Sequence, residues 1–300
     1  RGRHLRFCSA SLRCFGRRRR QEGRRRQQQC KSAAAAAGPA TIAEACSSES
    51  AMVSVDSETS STLPENEVRE LLHSKQIELK NSIGKGSYSN VRIAHHGKLD
   101  QIVAVKIIET TSNSEYVKRF LPREIAVVQM LNHANVVRVH EVLRADKMVL
   151  LVQEYGSNGD LLKRIKDNQR LPEDAAKPLF RQMVEALIYL KSQEIVHRDL
   201  KCENIFLDRC DNIKLGDFGF ARFLRSGEES NTFCGSRAYV APEILSGHKY
   251  TGFTVDAWAA GIVLYVMTTG VMPYDDRQPK KMIDRMMKHS IRYPRMPLTT

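Results

Sequence analysis

His197-Arg198-Asp199-Leu200-Lys201-Cys202-Glu203-Asn204, followed by Asp217-Phe218-Gly219, holds the densest chemistry in this 300-residue chain. An aspartate here can accept the proton of an incoming hydroxyl. A lysine two residues later can sit beside a transferring phosphoryl group. An asparagine and a second aspartate can hold magnesium against a polyphosphate. His-Arg-Asp alone is a weak string. With Leu-Lys-x-x-Asn attached and Asp-Phe-Gly a short strand pair later, chance stops being an adequate account.

Other segments must position these groups. Ile83-Gly84-Lys85-Gly86-Ser87-Tyr88-Ser89-Asn90-Val91 reads as strand, glycine turn, strand, with Ile77, Leu79 and Ile83 on one face and Val91 and Ile93 continuing the period of two. Glycines there let backbone N–H groups approach phosphate oxygens. Ile102 to Ile108 is a β-branched run with Lys106 inside it. A lysine in such a strand is costly to bury unless an anion meets it, or else it lies on an edge facing water. Pro122 suits the first turn of a helix along which Ile125, Val128 and Leu131 pack inward. Met148 to Val152 reads as a buried strand, after which Gln153-Glu154-Tyr155-Gly156 turns polar. Leu179, Phe180, Met183, Val184, Leu187 and Leu190 recur at helical spacing and lead into His197. Ile205–Leu207 and Ile213–Leu215 read as a strand pair turned by residues 208–212. Val255 to Met267 is apolar nearly all round, but it is short for a membrane span and carries Asp256 at its start.

The two polar strings resemble the catalytic loop and metal-binding loop of eukaryotic protein kinases, and further motifs fall in the family's order. Gly84-x-Gly86-x-x-Ser89-x-Val91 is similar to the kinase glycine loop, with serine in place of its third glycine. Val103-Ala104-Val105-Lys106 resembles the third small-lobe strand, and Ala241-Pro242-Glu243 the end of the activation segment. The resemblance implies an α+β, two-lobed protein kinase fold: a small antiparallel β lobe with one main helix, and a larger, mainly helical lobe. It implies ATP and Mg2+ as cofactors and transfer of the γ-phosphate to serine or threonine of protein substrates. By resemblance Lys106 holds the α- and β-phosphates and pairs with Glu124, Asp199 orients the substrate hydroxyl, and Lys201 marks serine/threonine specificity. Asn204 and Asp217 bind magnesium. The nucleotide is received by Ile83, Gly84, Gly86, Ser87, Val91, Ala104, Lys106, Glu154, Tyr155, Asp160 and Phe206. Thr232 aligns with the usual activating phosphorylation site, phosphorylated by an upstream kinase or by the enzyme itself, and Arg198 is the partner such a phosphate needs. Ser236 is expected to buttress Asp199, and Asp256 to cap the backbone of the catalytic loop.

Phe120-Leu121-Pro122-Arg123-Glu124, Lys201-Cys202-Glu203-Asn204, Phe233-Cys234-Gly235-Ser236 and Met272-Pro273-Tyr274-Asp275-Asp276 together resemble the testis-specific serine/threonine kinases, within the calcium/calmodulin-dependent kinase-like group. Arg237 and Val240 depart from that pattern. The subfamily implies a role in male germ cells. Glu203 and Asp160 give acidic groups near the peptide groove, so substrates with arginine before the target residue are expected.

The formal charge of +13 is concentrated at one end: residues 1–31 hold 11 Arg, 1 Lys and 1 Glu, leaving 35 basic and 33 acidic residues in the rest. The remainder is nearly balanced and presents no nucleic-acid face. Residues 1–75, rich in Arg, Gln, Ala and Ser, are expected to be a disordered basic segment. The kinase domain is expected over 76–300, split at 155/156 into small and large lobes. Residues 1–51 read either as translated leader before Met52 or as a genuine arginine run that could bind nucleic acid, direct nuclear import or sit on acidic membrane. Seven cysteines without paired metal spacing point to reduced thiols and a cytoplasmic location, nuclear if the arginine run is real. After Tyr293-Pro294 the family continues through further helices that carry an arginine for Glu243, so a C-terminally incomplete and unstable large lobe is expected. Two other classes compete: a pseudokinase scaffold, opposed by the intact set Lys106, Glu124, Asp199, Asn204 and Asp217, and an arginine-rich nucleic-acid binder, which needs the leader and steeply salt-dependent binding.

Overall fold

The computed structural model describes residues 65–86 and 89–294. Five antiparallel strands form the first half: β1 (Ile77–Lys85), β2 (Ser89–His96), β3 (Gln101–Glu109), β4 (Val139–Ala145) and β5 (Met148–Glu154), in the order β1-β2-β3-β5-β4. The β-branched run therefore lies in the middle strand, with Lys106 opposite Val91 on one side and Leu151 on the other. Alternation puts Val103, Val105 and Ile107 into one apolar layer. Lys106 shares the opposite face with Ile108, which packs with Leu121, Ile125, Val149 and Leu151. Helix α2 (Leu121–Met130) supplies Leu121 and Ile125 to that layer, and Pro122 occupies its first turn. Ile125, Val128 and Leu131 are all buried.

The first layer is closed by a helix that the composition did not announce. The expected disorder of residues 1–75 ends too late, because Glu65–Ser74 forms helix α1. Its Val68 and Leu72 are buried in one cluster with Ile77, Ala94, Val105 and Leu143, Leu72 at 0% exposure. Only three apolar side chains in ten make the stripe (Val68, Leu71, Leu72), too few to stand out beside the polar stretch before them. Residues 1–64, including the arginine run, lie outside the described residues, as do Ser87 and Thr300.

The second half is mainly helical: α3 (Leu161–Asn168), α4 (Glu173–Ser192), α5 (Pro242–Leu245), α6 (Gly252–Thr269) and α7 (Pro279–Met287). Met183, Ala186 and Leu190 of α4 and Val263, Val266 and Met267 of α6 meet in one core. By length and composition α6 could cross a membrane, yet half of it is buried in this core. Two-stranded pieces carry the functional loops: β6 (Ile195–Val196) with β9 (Arg222–Phe223), β7 (Ile205–Leu207) with β8 (Ile213–Leu215), and β10 (Glu229–Ser230) with β11 (Tyr250–Thr251). The strand pair on either side of residues 208–212 is the one expected. Backbone bonds from Val137 N to Leu215 O (2.8 Å) and from Leu215 N to Asn135 O (2.9 Å) tie the β7–β8 hairpin to the segment between α2 and β4. Cys202 and Cys234 are buried free thiols, and burial pushes Cys202 up to about 12.

Because α1 covers the sheet with a few apolar groups, Leu72→Ala leaves a cavity and should lower unfolding stability by about 3 kcal/mol. Denaturant unfolding measured against wild type checks this. An unchanged midpoint would mean that α1 is not part of the core.

Candidate active site

A cleft of about 390 Å³ is lined from the sheet by Ile83, Gly84, Val91, Ala104 and Lys106, from the β5 end by Gln153, Glu154, Tyr155 and Gly156, and from below by Asp160, Asn204, Phe206 and Asp217. Ile83 is 44% exposed, which suits an apolar group at the mouth of a cleft rather than in the core. Of the expected nucleotide contacts, Gly86 does not line the cleft. Its N–H donates to Ser89 O at 2.7 Å and closes the turn. Ser89, at the position of the missing third glycine, lines it instead. Ser87 falls outside the described residues. Phe206 forms the floor so closely that a Cβ built on Gly156 would lie 2.7 Å from its Cβ.

Lys106 Nζ donates to Glu124 Oε1 at 2.8 Å and to Asp217 Oδ1 at 3.1 Å. Three elements far apart in sequence thus converge on one ammonium. Burial pushes the Lys106 ammonium toward neutrality, but Asp217 and Glu124 outweigh it and raise its pKa above the ordinary lysine value. The same ammonium holds Asp217 below the usual carboxylate range, against burial. Glu124 is 2% exposed, and its other oxygen accepts from the Tyr116 hydroxyl at 2.7 Å. Tyr116 carried no signal in the sequence. It is eight residues before Glu124, a spacing that sets two side chains about 80° apart around a regular helix.

Across the cleft, the loop after β6 is fixed from behind. Both oxygens of buried Asp256 accept backbone N–H groups, from His197 at 2.8 Å and Arg198 at 2.9 Å, as expected from the resemblance. Burial raises the Asp256 pKa. His197 Nε2 bonds Gly216 O at 3.0 Å, and Asp199 N donates to His197 Nδ1 at 3.2 Å. A carbonyl can only accept and a backbone N–H can only donate, so Nε2 is the donor and Nδ1 the acceptor in these two bonds. Asp199 Oδ1 accepts from Ser236 N (2.8 Å) and Ser236 Oγ (2.9 Å); Oδ2 accepts from Asn204 Nδ2 (3.2 Å) and pairs with Lys201 Nζ (3.1 Å). Ser236 buttresses Asp199 as expected, and Lys201 reaches the Ser236 hydroxyl at 2.9 Å. Gly235 has φ +97°, and a Cβ there would be 2.6 Å from Arg198 O. Only glycine lets the segment after Thr232 approach this loop. Arg198 and Asp217 themselves sit at positive φ (66° and 55°), strained positions of the kind that gather at functional sites.

Asp160 spends one carboxylate oxygen on capping α3, accepting from Lys163 N at 2.8 Å. The Asn204 amide is committed through Nδ2 to the carbonyl and carboxylate of Asp199. Its carbonyl oxygen is therefore the end left to coordinate a hard cation. With the ionised Asp217 it makes a two-oxygen donor set that fits magnesium completed by phosphate and water. Among the described residues no group of three or more His, Cys, Asp or Glu side chains gathers for a metal.

On the far side of α2 lies a basic cluster that sequence reading found only in part. Arg198 Nε donates to Phe220 O (2.8 Å) and Nη1 to Tyr250 Oη (3.4 Å), while Nη2 is buried without a partner. Arg123 Nη1 is likewise buried without one. Burial, then Arg119, Arg222 and Arg198, lower the Arg123 pKa, which shows these guanidinium groups acting on one another. The Tyr250 hydroxyl donates to Thr232 O at 2.9 Å, so Thr232 lies against this cluster.

The protein kinase domain family matches residues 77–298. The chain belongs to that family. It is 44% identical over 221 residues to testis-specific serine/threonine-protein kinase 2 of Mus musculus, covering 71% of this chain and 62% of that protein. It is 45% identical over 221 residues to kinase 1 of the same name and organism, covering 71% and 60%. It is 43% identical over 225 residues to mouse kinase 3, covering 74% of this chain and 84% of that protein. The chain therefore spans about three fifths of the length of the first two relatives.

The Lys106–Asp217 pair has a defined pH window. Asp217 is held below its ordinary value of 3.8, so its contribution to stability is complete above that pH and is lost as the pH falls below it. Asp217→Asn should therefore flatten the acid limb of the stability curve relative to wild type, measured by unfolding from pH 6 downward. Parallel acid limbs would show the pair to be absent in solution.

Proposed function

We propose that this chain is the catalytic domain of an ATP- and magnesium-dependent serine/threonine protein kinase. One observation carries the reading: the Lys106 ammonium, held by Glu124 and Asp217, shares a cleft with Asn204, whose side-chain amide bonds the Asp199 carboxylate at 3.2 Å. Ile83, Val91, Ala104 and Phe206 supply apolar surfaces for a flat base, and backbone groups of Glu154 to Gly156 offer hydrogen bonds at the inner edge. Lys106 would take phosphate oxygens. Asn204 and Asp217 would hold magnesium, which neutralises charge on the polyphosphate. The substrate hydroxyl oxygen forms the new bond to the γ-phosphorus, the bond to the β-bridging oxygen breaks, and ADP leaves. Asp199 receives the hydroxyl proton. Its carboxylate is already oriented by Ser236 and Asn204, so little reorganisation is needed. Lys201, between Asp199 and Ser236, is placed to steady the transferring group.

Activation by phosphorylation at Thr232 belongs to the same reading. Two buried guanidinium nitrogens without partners, on Arg198 and Arg123, support it. A phosphate offers three acceptor oxygens to such donors and would relieve the mutual repulsion of the arginines. Exposed Glu203, whose Oε2 accepts from Tyr239 Oη at 3.4 Å, supports substrates with arginine ahead of the target residue.

Radiolabel transfer from γ-labelled ATP to a serine/threonine peptide library tests the activity: wild type should transfer label, favour arginine upstream of the target, and lose at least a thousandfold with Asp217→Ala. Transfer that survives this substitution would remove the reading, and enrichment of acidic upstream residues would remove the arginine preference. Thr232→Ala should lower turnover at least tenfold, and phosphatase treatment should do the same to wild type. Equal turnover of a peptide by treated and untreated protein would discard the switch.

A further inference from the structure

The chain enters α2 through a π-helical turn, Tyr116–Phe120, in which Leu121 N–H donates to Tyr116 O five residues back. In a straight α-helix, residues eight apart differ by about 80° around the axis. The wider turn takes up one extra residue, so Tyr116 and Glu124 return to a common face. On that face the Tyr116 hydroxyl donates to Glu124 Oε2 at 2.7 Å, while Oε1 accepts from Lys106 at 2.8 Å. The tyrosine ring is itself packed, against the cluster of Ile108, Leu121, Ile125, Val149 and Leu151. Its edge also approaches the metal-loop backbone: a Cβ built on Gly219 would lie 3.8 Å from Tyr116 Cε2 and 3.6 Å from Glu124 Oε2.

We propose that Tyr116 is a positioning residue of the nucleotide site: its hydroxyl fixes the Glu124 carboxylate so that one oxygen faces Lys106, and the π turn exists to deliver that hydroxyl. The inference rests on the kinase reading above and adds to it a residue outside the motifs. Glu124 is almost fully buried, so water is a poor substitute for the second hydrogen bond. Without it the carboxylate rotates or draws both oxygens to Lys106, and the ammonium is no longer held for phosphate. Burial, and then the Glu124 carboxylate against the pull of Lys106, keep the hydroxyl above its usual pKa and hence a donor at neutral pH.

Tyr116→Phe separates the hydroxyl from the ring. In the full chain it should reduce kcat/KM for ATP about tenfold while moving the thermal midpoint little, because the phenyl ring still packs. A lowered midpoint with an unchanged rate per folded molecule would show a merely structural tyrosine and overturn the proposal. The second arm is a double-mutant cycle with Glu124→Gln, read by binding of a non-hydrolysable ATP analogue. Tyr116→Phe should weaken binding in the wild-type background and change nothing further in Glu124→Gln. Equal losses in both backgrounds overturn the proposal. The two readings fail separately. If wild type binds the analogue but transfers no phosphate, the kinase reading falls and the cycle still decides for or against Tyr116. If wild type does not bind the analogue, both fall.

Discussion

One buried ammonium organises the small lobe and fastens it to the large one. A lysine in the middle strand of a sheet, 13% exposed at its side chain, cannot be left without anions. Two carboxylates meet it, one from α2 and one from the loop after β8, elements that also share the core of Val127, Val128 and Phe218. Glu124 requires α2 to dock with one particular face toward the sheet. Asp217 requires the loop after β8 to rise into the cleft. The apolar contacts of Leu121 and Ile125 with Ile108, Val149 and Leu151 supply most of the docking energy, since apolar burial scales with area and ion pairs return little beyond their desolvation cost. The ion pairs decide which docked arrangement is acceptable. The proposed nucleotide site depends on this arrangement, because a lysine satisfied by carboxylates that can also serve a cation is a lysine that can exchange toward phosphate.

The opposing wall obeys a different rule. The loop of Asp199 contains backbone in a strained region at Arg198, and the next functional loop does so at Asp217. Such conformations persist only where surrounding bonds over-determine them. Asp256 does this from below with both carboxylate oxygens, His197 from the side with both ring nitrogens, and Ser236 and Asn204 from the front. The result is a carboxylate whose orientation is set before any substrate arrives. Gly235 permits the final approach, since any side chain there would strike Arg198 O. Rigid support behind Asp199 and an exchangeable charge set around Lys106 divide the work: one wall fixes geometry, the other accepts and releases ligand.

Much of this was legible in the residues, and the exceptions have physical causes. Lys106, Asp199, Asn204 and Asp217 are visible because a charge in a β-branched run, or a dense polar string, is locally costly and demands explanation. Asp256 was readable for a related reason, as a charge at the start of an apolar helix. Helix α1 was missed because its stripe of Val68, Leu71 and Leu72 is short, and its stability comes from the sheet it covers rather than from its own sequence. The resemblance to the glycine loop puts Gly86 at the phosphates, while spacing does not disclose that its N–H closes the turn on Ser89 O. Tyr116 could not have been found by periodicity, because the π turn shifts the helical phase by one residue. Arg123 was hidden in plain view beside Glu124, since nothing in a sequence says that one guanidinium nitrogen will be buried without a partner.

That adjacency bears on control. Consecutive helical residues project about 100° apart, so one helix can present Glu124 to the cleft and Arg123 to the arginine cluster at once. Rotating α2 enough to break the Lys106–Glu124 pair also moves Arg123 relative to Arg198 and Arg222, whose charges already disfavour its own. Phosphate bound among those arginines would draw them together and resist the rotation. Loss of phosphate would leave their repulsion pushing the other way. The Tyr116 hydroxyl, in the turn that precedes the helix, would resist the same rotation through its bond to Glu124. With Thr232 phosphorylated as proposed, charge balance at that site and the hydrogen bond at Glu124 would bias one and the same rotation of α2.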